Sequence, residues 1–137
     1  MDSIVLAGLA ITRGTILYGS FDNIGHKKFF IIIGENDEQL VGFFFINSSI
    51  HQLIKNKPAQ FDMQMSIRKT DYSFLRYDSF ISANKINTIS KNKITSEIAN
   101  QNIQVKDSLI DEDLNMLLDV VRRSKLFSKI EKETFFK

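Results

Sequence analysis

The sequence predicts a mainly β chain of the α+β class: a strongly bent sheet or small barrel, a short connecting helix and a C-terminal amphipathic helix. Three observations carry this expectation. Residues 13–90 hold apolar runs and strict two-residue alternation separated by polar turn segments. The last thirty residues change to a helical period. A chain of 137 residues, 43% hydrophobic and 25% charged, has the size and balance of one domain that folds by itself. The expected division is a single domain over 1–137, with a β-rich body over 13–90 and a helical segment over 108–133.

In order along the chain, Thr15, Leu17 and Phe21 alternate with Ile16, Tyr18 and Ser20 as a first strand. Asp22-Asn23-Ile24-Gly25 supplies turn chemistry, so Phe29 to Ile33 returns as the second strand of a hairpin. That strand is apolar on both faces, the pattern of a strand covered on both sides. Glu35-Asn36-Asp37-Glu38 is a second polar turn, and Val41 to Ile46 is again uninterrupted, so it belongs at the centre of its sheet. Ile50, Leu53 and Ile54 fall at helical spacing, with Ser48 or Ser49 as a cap and Pro58 beyond the end. Phe61, Met63, Met65 and Ile67 alternate with Asp62, Gln64 and Ser66 as a half-buried strand, and Asp78 to Ile89 adds one or two more. Ile110, Leu114, Leu117, Leu118 and Val121 form one helical stripe. Acids at 111–113 and bases at Arg122, Arg123 and Lys125 complement its dipole. Leu126, Phe127, Ile130, Phe135 and Phe136 continue the apolar pattern, so the C-terminus is expected to be docked.

Cysteine is absent, which excludes disulfides, a thiolate nucleophile and cysteine-based metal sites. The apolar run from Ile4 to Ile11 is too short to span a bilayer and follows Asp2 rather than a basic segment. A cytoplasmic protein with no membrane partner is expected. His26 and His51 are the only histidines, far apart and outside any HExxH-type helix, so no metal is assigned. Gly14, Gly19 and Gly25 match neither a P-loop nor a dinucleotide fingerprint, so no cofactor is assigned. Ser48, Ser49 and His51 lack the glycine pattern of a nucleophile elbow.

The more informative segment is Gly25-His26-Lys27-Lys28, a cationic turn between the first two strands. An imidazole can exchange a proton near neutral pH, and two ammonium groups can hold a phosphate and stabilise charge developing on it. Metal-independent RNA cleavage needs those parts: a base for the ribose 2′-hydroxyl, a cation at the phosphoryl oxygens and an acid for the leaving oxygen. The formal charge of the whole chain is only +2, yet residues 55–93 carry eight Lys and Arg against three Asp. Arg68, Lys69 and Arg76 are interleaved there with Tyr72, Phe74 and Tyr77, the mixture of cations and rings used on single-stranded nucleic acid. A solvated turn and a loop with core aromatics are the plainer readings of the same residues.

The order of these pieces resembles the MazF/PemK toxin family, small SH3-like (PemK-like) barrels that act as endoribonucleases in toxin–antitoxin pairs. The matching segments are Gly14-Thr15, Phe21-Asp22, Gly25 to Lys28, Phe29 to Ile33, Asn47-Ser48-Ser49, and Tyr77-Asp78-Ser79-Phe80 leading into Ile86 to Ile89. The resemblance runs from about Arg13 to Ser124. It implies cleavage of single-stranded RNA, a cognate antitoxin protein and a homodimer. It also implies transition-state stabilisation by Lys27 or Lys28 and substrate contact by Ser48 or Ser49; His26 as acid or base follows from imidazole chemistry alone. The family commonly has Arg then Pro after the glycine loop, where this chain has Lys28 and Phe29. Lysine keeps the charge without the bidentate fork. The alternative is a non-catalytic SH3-like barrel that binds a protein partner or RNA.

Overall fold

The computed structural model describes residues 11–20, 26–48, 57–58 and 62–137. The expected turn at 22–25, Ser49, His51 and, save for Lys57, the connecting helix expected between Ile50 and Lys57 lie outside the described residues. Seven strands form one antiparallel sheet: β1 (Thr15–Gly19), β2 (Lys28–Glu35), β3 (Leu40–Asn47), β4 (Gln64–Ile67), β5 (Ser79–Ser82), β6 (Asn87–Ser90) and β7 (Ile103–Ser108). Among the described residues, three helices of seven residues or more accompany it: α1 (Lys91–Ala99), α2 (Asp111–Arg123) and α3 (Lys129–Phe135).

The two uninterrupted apolar strands are central, as expected. β2 lies between β1 and β3, and β3 has β2 along one edge while β5 and β6 share its other edge. Alternation sends Ile31, Ile33, Phe44 and Ile46 to one face, where they pack with Leu117, Val121, Phe135 and Phe136 from the C-terminal segment. Phe30, Ile32, Val41 and Phe43 go to the other face and pack with Ile94 of α1 and Ile103 of β7. Both faces are covered, which is why neither strand alternates with polar residues.

The expected barrel is not formed. The strand order β4-β5-β3-β2-β1-β7 leaves β4 and β7 at opposite edges, and no ladder among the described residues joins them. Helices on both faces bury the apolar surface that a barrel would enclose by closing on itself. Residues 91–107, which the hydrophobic pattern left unassigned, supply α1 and the edge strand β7. The signal for α1 is short: Ser90 caps it by accepting the Lys93 N–H at 3.1 Å, and Ile94 and Ile98 lie one turn apart. The strand expected from Phe61 is confined to Gln64–Ile67.

The C-terminus is docked, as its apolar pattern implied. Ser128 and Glu131 form a reciprocal capping box that starts α3. Arg13 then ties the chain end to the sheet, donating to the carbonyls of Ile33 (2.8 Å), Phe135 (3.0 Å) and Lys137 (3.0 Å). No helix among the described residues is long and apolar enough to cross a membrane.

Candidate functional site

An open cleft of about 660 Å3 lies at the end of the sheet where β1, β2 and β3 meet the loop joining β4 to β5. Its apolar lining is aromatic. Tyr18 of β1 and Phe29 of β2 are directly paired across the ladder, which brings their ring centroids to 4.4 Å. Phe74, from the loop, packs on Phe29 at 4.8 Å. Five basic residues line the cleft, His26, Lys27, Lys28, Arg76 and Lys106, and no described lining residue is acidic. Positive charge with no carboxylate among the described lining residues, set beside open rings, would attract an anion that carries flat groups.

The structure brings together His26 to Lys28 of the cationic turn and two of the five expected RNA-binding residues. His26 and Lys27 are exposed just before β2, Ser48 is exposed just after β3, and Arg76 and Tyr77 arrive from the β4–β5 loop. Tyr77 is 66% exposed, an open ring at the cleft. The Ser79 hydroxyl donates to its carbonyl at 2.9 Å and steadies the backbone there. Asn47, beside Ser48, is held from behind: its amide donates to Ser82 Oγ at 2.7 Å, and that hydroxyl donates to Gln64 Oε1 at 2.9 Å.

Three expected site residues are placed differently. Tyr72 is 1% exposed, so it offers no stacking surface. Its hydroxyl donates to Asp113 Oδ2 at 2.6 Å and accepts the Ile110 N–H at 3.2 Å. It anchors the loop to the start of α2, and from that anchor the loop presents Phe74, Arg76 and Tyr77. Arg68 and Lys69 begin the same loop but are not part of the cleft lining. Arg68 pairs with Asp71 at 3.3 Å, and the Lys69 N–H donates to Asp78 at 2.9 Å.

Lys28 contributes to the lining, yet its ammonium is drawn elsewhere. Strand alternation sets it on the face of Phe30 and Phe45, opposite Phe29. Its Nζ stands 4.6 Å from the Phe45 ring centroid, and burial pulls its pKa below the ordinary lysine value. Lys27, by contrast, has its Nζ 6.0 Å from the Tyr18 centroid, on the cleft side. Of the two lysines, Lys27 is therefore the better placed to meet a phosphate.

Lys106 is the lining cation that sequence patterning missed; its Nζ is 5.9 Å from the Tyr18 centroid. No local motif marks it, because only the pairing of β7 with β1 carries it to the cleft. Among the described residues, no three His, Cys, Asp or Glu side chains are grouped so as to hold a metal ion. Comparison of the chain with protein-family models, with curated proteins and with solved structures returns no match.

Proposed function

We propose that the protein is a metal-independent endoribonuclease that takes single-stranded RNA into this cleft. One observation carries the reading: His26 and Lys27, Ser48 and Arg76, from three separate parts of the sequence, line a single cleft that holds aromatic rings and, among its described lining residues, no acid. In this reading Lys27 and Arg76 hold the phosphoryl oxygens and stabilise their growing charge, while Ser48 donates a hydrogen bond to the phosphate. His26 accepts the 2′-hydroxyl proton, and the ribose oxygen then attacks phosphorus and displaces the 5′-oxygen, which takes a proton from water, leaving a 2′,3′-cyclic phosphate and a free 5′-hydroxyl. Tyr77 offers a face to an unstacked base, which a duplex could not present. The resemblance to MazF/PemK toxins adds a cognate antitoxin laid over the basic cleft and a homodimer as proposed partners.

Incubating antitoxin-free protein with mixed-sequence RNA in EDTA tests this reading. Cleavage with 2′,3′-cyclic phosphate ends is the expected result, and intact RNA would overturn it. His26→Gln should lower the rate by roughly 10²–10⁴-fold, the usual contribution of a positioned acid or base, with thermal unfolding unchanged. A second reading, binding without cleavage, is favoured by Lys28, whose ammonium lies over Phe45 rather than in the cleft. RNA that is bound yet left intact would select it.

A further inference from the structure

Lys106 reaches the cleft through an irregularity in the β1–β7 ladder. Leu17 faces Val105 but Ile16 faces Asp107, so Lys106 is an extra residue with no partner across the strand pair. A bulge of this kind bends the strand and re-aims a side chain, and such bulges recur beside functional sites. Here the aim is the Tyr18 ring, with Lys106 Nζ 5.9 Å and Lys27 Nζ 6.0 Å from its centroid. Two like charges thus gather at one ring, and among the described residues neither is paired with a carboxylate. A bound anion would be drawn to these charges, and the ring beside them would take a base. Phe29, packed on Tyr18 at 4.4 Å, keeps that ring from collapsing into the cleft.

We propose that Lys106 is a substrate-binding residue: with Lys27, at the Tyr18 ring, it holds a backbone phosphate of the single strand and takes no part in breaking the bond. This rests on the RNA-binding reading of the cleft and adds to it a contact supplied by an edge strand outside the resembling motifs. A lysine ammonium suits the role because it binds phosphate as a point charge and needs no fixed planar geometry.

The test compares the wild-type protein with Lys106→Gln and with Lys125→Gln, an exposed lysine outside the cleft lining. The probe is a labelled, single-stranded, 2′-O-methyl RNA decamer of mixed sequence, which cannot be cut by 2′-hydroxyl attack. Binding is followed by fluorescence anisotropy across a salt series. Losing one phosphate contact should flatten the slope of log affinity against log salt by about 0.7 for Lys106→Gln, with Lys125→Gln unchanged. On unmodified RNA, KM should rise several-fold while kcat holds. An unchanged slope for Lys106→Gln, in a protein that binds the decamer, would overturn the Lys106 assignment and leave the cleft's function standing. A fall in kcat as large as the rise in KM would also overturn it, because Lys106 would then act in the reaction. Failure of the wild-type protein to bind the decamer would overturn both.

Discussion

Tyr72 shows how one side chain can serve the site without entering it. Burial, and then the hydrogen bond to Asp113, pushes its pKa well above the ordinary tyrosine value. The folded protein therefore holds the phenol proton more tightly than the unfolded chain does. The stabilisation is complete below about pH 10, the unfolded value, and is lost as pH rises through the raised folded one. Tyr72→Phe should cost about 1–3 kcal/mol at neutral pH, because it leaves Asp113 and the Ile110 N–H without their buried partner. It should also remove this group's share of the alkaline loss of stability, as urea midpoints at pH 7 and pH 11 would show. Lys28 calls for a paired test. Lys28→Met keeps an apolar stem on Phe45 and removes only the charge, whereas Lys28→Ala removes both. If the ammonium serves only as a ring contact, RNA cleavage by Lys28→Met should match wild type, and Lys28→Ala should lose about 0.5–1 kcal/mol of stability.

At the scale of elements, α3 lies so close to the central hairpin that glycine is required beneath it. A Cβ on Gly34 would come within 2.5 Å of the Phe135 carbonyl oxygen, and one on Gly42 within 2.7 Å of the Phe135 ring. These two glycines face each other across β2 and β3, beside a register shift that follows Ile32. Gly34→Ala should destabilise by about 1–3 kcal/mol in urea unfolding, since the clash is with backbone and cannot be relieved by a rotamer change. Strand β7 was invisible to periodicity for a related reason. As an edge strand it buries Ile103 but leaves Val105 46% exposed, so its alternation is too weak to stand out from a loop. The stripe on α2 was legible because Leu117, Leu118 and Val121 are all buried, Leu117 and Val121 in the core on the protein's own sheet.

For the whole molecule, that burial bears on assembly. The rings Phe127, Phe135 and Phe136 of the terminal apolar pattern, which could have served a partner, are spent inside the chain, whereas Ile110, Leu126 and Ile130 of the same pattern stay exposed. Phe136 is fully buried, with its ring 5.0 Å from Phe127 and 6.1 Å from Phe44. Phe136→Ala should cost about 3–5 kcal/mol, a large share of the 5–15 kcal/mol typical of a domain, and calorimetry should show a much lower melting temperature. The buried rings are therefore closed to the proposed homodimer, and light scattering that finds a monomer at micromolar concentration would remove it.

The central hairpin, the amphipathic α2 and the docked C-terminus were legible in the residues alone, because each rests on local periodicity and on turn or cap residues within a few positions. So was the cationic turn at His26 and Lys27. That the sheet stays open and that β7 forms its edge came from strand pairing in three dimensions. From the same source came the inward turn of Tyr72, the lean of Lys28 on Phe45 and the meeting of Lys106 with Lys27 at Tyr18. These outcomes depend on which strands pair and in what register, and a single residue of shift sends a side chain to the other face of the sheet.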